Sequence, residues 1–173
     1  MTGKILIVAL LVSALLAGAV LYYLQIYGYY RTLAADAPEA RLSLTTVAGA
    51  VEPLAVRDLQ AIDADTSPIR FRACFRLMDA VPTPQTYRVY PKAEPLVAPG
   101  WFGCFDAAEI GAALQDGTAT AYLGVENYHY GIDRIVAVLS DGRAFAWHQI
   151  NRCGREVFEG NPAPEGCPAP VGN

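Results

Sequence analysis

The sequence predicts an α+β protein: an N-terminal transmembrane helix followed by one small, disulfide-stapled domain with a mostly antiparallel sheet and one or two helices. Three observations predict it, namely an uncharged apolar run, several alternating segments separated by turn residues, and four cysteines beyond the run. A chain of 173 residues has room for one ordinary domain beside an anchor. We divide it into an anchor with a tyrosine belt (residues 1–30), a linker (31–40) and an exported α+β domain (41–173) with a Gly/Pro-rich C-terminal tail.

The apolar run extends from Ile5 to Leu24 and contains no charged residue. As a helix it would be about 30 Å long, the thickness of the hydrocarbon core of a bilayer. Aromatic rings favour the membrane–water interface, and tyrosines cluster at the end of the run, at positions 22, 23, 27, 29 and 30. A cleaved signal peptide is the alternative, because residues 17–19 (AGA) form a small-x-small site. The run continues past that site, which favours an uncleaved anchor.

The first half of the domain predicts strands and one helix. Residues 41–47 alternate loosely and predict a first strand, whereas residues 54–64 have apolar side chains at helical spacing and predict a short helix. Residues 69–77 (IRFRACFRL) alternate strictly and are the clearest strand. Residues 86–90 predict a further strand after a proline-containing turn.

The second half begins with the strongest helix signal. Asp106 is a good N-cap, Glu109 follows three residues later, and Gly117 ends the apolar pattern. Residues 119–125 predict a strand. Residues 132–139 and 143–150 predict a hairpin about an Asp-Gly dipeptide, which favours tight turns.

The cysteines predict disulfides in an oxidising compartment, since they are even in number and contain no C-x-x-C pair. Four cysteines allow three pairings. We favour Cys153–Cys167, which would clamp the tail, and Cys74–Cys104 follows by elimination. Zinc or redox chemistry would favour closer spacing. We therefore predict a bacterial inner-membrane protein with its N-terminus in the cytoplasm and its domain in the periplasm.

Charge excludes one class of partner and suggests another. The formal net charge of −4 gives the chain no electrostatic reason to bind nucleic acid. Arg70, Arg72 and Arg76 recur on one face of the predicted strand. Guanidinium groups in a row are suited to a carboxylate, a phosphate or an acidic protein surface, although a solvated sheet face explains them as well.

Catalytic candidates are few. His129 and His148 are the chain's two histidines, and neither lies in a nucleophile-elbow, zinc-protease, P-loop or dinucleotide-binding motif. Trp101 lies in the aromatic segment PGWFGCF, which predicts either a plug beneath a disulfide or an exposed contact. The sequence assigns no catalytic, cofactor-binding or metal-binding residue.

Several segments together resemble a small, functionally uncharacterised family of membrane-anchored alphaproteobacterial proteins. They are the first thirty residues, ACFRL, GWFGCF, YHYGIDRIVAV and INRCG. The resemblance implies location and architecture, and brings no reaction, ligand or catalytic residue.

These observations favour a non-catalytic accessory or assembly factor of a larger membrane complex, which contacts the membrane through residues 5–24 and a membrane-protein partner through its domain. Two alternatives remain: a periplasmic enzyme using His129 or His148, and an anion-binding sensor using Arg70, Arg72 and Arg76. No cofactor is expected.

Overall fold

An apolar helix precedes the domain in the computed structural model, which describes residues 2–170. Helix α1 (Thr2–Tyr23) continues into one turn of π-helix (Leu24–Gly28). Its large apolar side chains, such as Leu10 and Leu15, are exposed. A helix that is apolar on all sides and long enough to cross a bilayer is compatible with a membrane anchor.

A six-stranded sheet forms the centre of the domain. Its strands are β1 (Arg31–Thr32), β4 (Val56–Asp63), β5 (Arg72–Leu77), β6 (Ala119–His129), β7 (Ile132–Leu139) and β8 (Arg143–Ile150). Their order in the sheet is β1-β4-β5-β8-β7-β6, and every neighbouring pair is antiparallel. This confirms the predicted fold class. A separate hairpin of β2 (Ser43–Thr45) and β3 (Val51–Pro53) packs beside β6.

Both faces of the sheet are buried. Strand β5 directs Ala73 and Phe75 into one apolar cluster and Cys74 into another, as its alternation predicts. Residues 33–44 cover the first face, and α2 (Ala107–Asp116) covers the second together with Phe102 and Phe105. At the centre of the sheet this cover buries Arg72, so the predicted arginine face is not solvated along its whole length.

The predicted helix over residues 54–64 is wrong, because this segment forms β4. Pairing with β5 satisfies its backbone, and a bulge between Arg57 and Gln60 shifts the side-chain alternation by which a strand is recognised. Asp58 adopts positive φ within that bulge. The apolar spacing therefore resembles a helix although the chain is extended.

The segment predicted as a linker, residues 31–40, contributes structure to the domain. Strand β1 pairs with the end of β4, and Leu33 and Ala40 are buried in the first cluster. The connection from α1 to the sheet is consequently short.

The remaining elements largely follow the sequence pattern. The side chain of Asp106 accepts hydrogen bonds at the start of α2, and Gly117 ends the helix with φ of 80°. Strands β7 and β8 form the predicted hairpin. Residues 86–90 make isolated bridges to β2 and β6 in place of a full strand. The start of the tail forms a short helix, α3 (Arg152–Phe158), and residues 171–173 lie outside the described part of the chain.

Candidate functional site

The C-terminal end of the apolar helix is attached to the domain by Trp101. The indole Nε1 of Trp101 donates a hydrogen bond of 2.7 Å to the carbonyl oxygen of Ile26. The last carbonyls of a helix lack partners within the helix, so this bond satisfies a group that would otherwise need water. The Trp101 ring also stacks on Tyr27 at 6.4 Å and meets the edge of Tyr30 at 6.0 Å. We call this cluster (Ile26, Tyr27, Tyr30 and Trp101) the anchor junction.

Buried aromatic side chains and a disulfide fix the loop that carries Trp101 to the sheet. Phe102 and Phe105 are buried, and Phe105 packs edge-on against Phe145. The disulfide Cys74–Cys104 joins the loop to β5. The aromatic segment therefore buries Phe102 and Phe105 beneath the disulfide, whereas Trp101 remains 39% exposed.

Both disulfides have the favoured pairing, Cys74–Cys104 and Cys153–Cys167. The second closes the tail onto α3, and no cysteine is left as a thiol. Thiol-based redox or nucleophilic chemistry would first require reduction of one of these bonds.

The arginines of the predicted face are separated from one another. Arg72 is only 3% exposed and donates to four backbone carbonyls, those of Ile69, Phe71, Leu96 and Val97. Burial lowers its pKa to about 10. Arg72 therefore acts as an internal crosslink between β5 and the loop around residue 96. Arg70 lies over the rings of Tyr29 and Tyr30, next to the anchor junction.

Arg76 lies at the opposite end of β5 in a basic row that the sequence does not reveal. In the register of the sheet, Arg76 lies directly opposite Arg57 on β4 and Arg143 on β8, so the three side chains share one face. Like charges opposite one another on neighbouring strands are destabilising. Arg57 pairs with Asp58 at 3.5 Å, and Arg143 pairs with Asp141 at 2.8 Å.

The central member of this basic row (Arg57, Arg76 and Arg143) has no such partner: within residues 2–170 no carboxylate forms a salt bridge with Arg76. Its guanidinium borders a shallow groove of about 210 Å³ whose other walls include Phe145 and the Cys74–Cys104 disulfide. Asp58 and Arg143 also line this groove, so a partner carboxylate would meet two guanidinium groups and one carboxylate there.

His148 is buried and both of its ring nitrogens are engaged. Nε2 faces the Nε–H of Arg134 at 3.0 Å, and because arginine only donates, Nε2 is the acceptor. Nδ1 therefore carries the proton and donates to the carbonyl of Pro68 at 2.7 Å. Burial, followed by repulsion from Arg134, lowers the pKa of His148 from 6.5 to about 3. A neutral imidazole whose two nitrogens are both hydrogen-bonded, and which has no access to solvent, is not placed to act as a general base.

Arg134 is the centre of this buried cluster. Its guanidinium lies 4.0 Å from the ring centroids of both Phe71 and Tyr128, a double cation–π contact. Nη1 donates to the carbonyl of Arg41 at 2.9 Å. Burial lowers the pKa of Arg134. The cluster stabilises the end of the sheet nearest the anchor.

His129, by contrast, is exposed at the end of β6. Its ring meets the edge of Tyr128 at 5.0 Å and lies 6.3 Å from His148. It borders a cleft of about 350 Å³ with Asp63 and Asp65. Among the residues that the structure describes, no three His, Cys, Asp or Glu side chains are arranged to hold a metal ion.

A cavity of about 560 Å³ is lined in part by Asp133, a carboxylate that no pattern in the sequence indicated. Asp133 is 5% exposed and accepts hydrogen bonds from the Asn127 amide at 2.9 Å, the Asn151 side chain at 2.7 Å and the Tyr90 hydroxyl at 3.1 Å. Burial and the adjacent Asp133 charge raise the pKa of Tyr90. Since these donors come from three separate segments, the carboxylate joins loops and α3 to the sheet.

Comparison with known proteins gives a family and no activity. The model of a family of unknown function, DUF6446, matches residues 42–168. The chain belongs to this family. The DUF6446 region contains all four cysteines, Trp101 and the basic row, whereas α1 lies outside it. Neither a curated protein nor a solved structure matches the chain.

Proposed function

We propose that this DUF6446 protein is a single-pass membrane protein whose domain binds another protein without performing catalysis. It would act as an accessory or assembly factor of a larger membrane complex, in the bacterial inner membrane with the domain in the periplasm. The hydrogen bond from Trp101 to Ile26 is the observation that carries the proposal. It ties the domain to the apolar helix, and a fixed attachment gives the domain one orientation toward a membrane-embedded partner.

The basic row is the surface we assign to that partner. A strand advances about 3.3 Å per residue, so Arg76 lies up to roughly 20 Å from Arg70 and the anchor junction. The row therefore lies at the end of β5 away from the anchor junction. A partner carboxylate would compensate the repulsion among three facing arginines, of which the two outer ones form salt bridges with Asp58 and Asp141.

Affinity capture of the full chain from detergent-solubilised membranes tests the proposal. We expect stoichiometric partners to be recovered with the wild type and lost with Arg76→Gln. Arg41→Gln is the matched control, because it removes one arginine charge from an exposed position outside the row. Recovery of no partner at native expression in several detergents would contradict the proposal. Equal recovery with both variants would contradict the assignment of the basic row.

An enzyme that uses His148 is disfavoured by the geometry, because both nitrogens are occupied and the ring is buried. An anion sensor is the second candidate, and the unpaired guanidinium of Arg76 is the observation in its favour. A melting temperature that rises with citrate or phosphate in the wild type, and not in Arg76→Gln, would support the sensor.

A further inference from the structure

We propose that the anchor end of the domain rests on the bilayer through its own apolar patch, composed of Ile69, Leu96, Val97, Trp101 and Phe158. We call this the bilayer-facing patch. The inference depends on α1 spanning the membrane, as proposed above, but it concerns a contact made by the domain and not by the helix.

The patch exposes large apolar side chains that the domain core does not use. Val97 is 80% exposed, Phe158 is 55% exposed and Trp101 is 39% exposed. Ile69, Leu96 and Phe158 also line a cleft of about 350 Å³. Isolated exposed apolar residues are ordinary, but neighbouring ones mark a contact surface.

The patch adjoins the end of the apolar helix at Trp101, which donates a hydrogen bond to Ile26. Ile69 precedes Arg70, whose guanidinium lies over Tyr29 and Tyr30. Arg72, two residues after Arg70, donates to the carbonyls of Leu96 and Val97. The patch therefore borders the tyrosines that follow the apolar run at Trp101 and Ile69.

The bilayer interface is the occupant that fits this surface. Tyr27 and Tyr29 are 46% and 41% exposed, and Tyr and Trp rings are favoured at headgroup depth. Charged residues of both signs, Arg155, Glu94 and Glu159, border the same cleft. The centre of a protein–protein interface is depleted in charge, whereas the wet, zwitterionic headgroup region accepts both signs.

Tryptophan fluorescence in vesicles tests this contact. The chain has two tryptophans, and Trp147 is fully buried. Both reporters are made in a Trp101→Phe background. Val97→Trp places one in the bilayer-facing patch. Met78→Trp places the matched control just beyond the far end of β5, where the native Met78 is 64% exposed. The full chain is reconstituted in phosphatidylcholine vesicles with brominated acyl chains, and flotation verifies insertion.

We expect the Val97→Trp emission to be blue-shifted, quenched by brominated lipid and protected from quenching by iodide. The Met78→Trp emission should be quenched by iodide and not by brominated lipid. Equal behaviour of the two reporters would overturn the bilayer contact. If the chain fails to float with vesicles, the anchor itself is refuted, which distinguishes the two failures. Protection of Val97→Trp without quenching by lipid would assign the patch to a protein contact and also overturn the inference.

Discussion

Lowering the pH should destabilise the domain through His148. In the folded state its pKa is about 3, whereas in the unfolded chain it returns to the ordinary value of 6.5. The unfolded chain therefore binds a proton that the folded domain rejects, because a charged imidazole would be buried and would lie 3.0 Å from the guanidinium of Arg134. The stabilisation is complete above pH 6.5 and is lost progressively as the pH falls toward 3.

The size of the effect follows from linkage. Between pH 7.5 and pH 5.0, protonation of a histidine of pKa 6.5 lowers the free energy of the unfolded chain by about 2 kcal/mol. The folded domain takes up almost no proton at His148 over this range, so its free energy is hardly lowered. Other groups titrate in the same range, so the comparison needs a variant. His148→Gln keeps an acceptor for Arg134 and removes the titration.

The assay is urea denaturation of the full chain in detergent at both pH values. The wild type should lose about 2 kcal/mol more unfolding free energy than His148→Gln. His129→Gln serves as the control, because the exposed His129 makes no comparable contact with a buried arginine. If His148→Gln shows the same pH dependence as the wild type, the buried neutral imidazole and its hydrogen-bond assignment are refuted.

Three further predictions concern the connections within the domain. Trp101→Ala removes the bond to Ile26 and its aromatic contacts, together worth about 1–2 kcal/mol, so chymotrypsin should cleave after Tyr27, Tyr29 or Tyr30 about tenfold faster. Arg72→Met leaves four carbonyls without a donor and should cost about 3 kcal/mol or more in urea denaturation. Gly154→Ala should lower the unfolding free energy by about 3 kcal/mol, because its methyl group would overlap the backbone of Gly131.

Each of these predictions has a matched comparison. Trp101→Phe keeps the ring contacts but loses the hydrogen bond, so its cleavage rate should be intermediate. Arg76→Gln, at the exposed end of the same strand, should change stability by no more than about 0.5 kcal/mol. Gly111→Ala lies in α2, where the nearest atom is 3.8 Å from the added methyl, and should be neutral or stabilising. Equal losses for Arg72→Met and Arg76→Gln would contradict the crosslink.

Local signals in the sequence predicted the elements whose structure depends on neighbouring residues. The apolar run, the Asp106 cap and the Asp-Gly hairpin all appear where the pattern placed them. The helix prediction for residues 54–64 was wrong because a bulge disrupts the alternation of side chains, and pairing with β5 determines the conformation of this segment. Propensity is weak compared with a full ladder of tertiary hydrogen bonds.

The candidate site was less predictable than the fold. Arg70, Arg72 and Arg76 are equivalent by spacing, yet the structure assigns them to the anchor end, the interior and the far end of the domain. Whether one face of a strand meets solvent depends on what covers it, and the loop at Leu96 and Val97 covers Arg72. The basic row depends on the register of three strands, which no local pattern records.

The amino-acid sequence by itself determined an apolar helix joined to a cysteine-braced α+β domain, because helix length, hydrophobicity and alternation are properties of contiguous residues. Only the tertiary structure decided that Trp101 meets Ile26, 75 positions away along the chain, and that Arg57, Arg76 and Arg143 lie side by side. Such contacts depend on strand order and on the docking of loops, which the packing of distant residues selects.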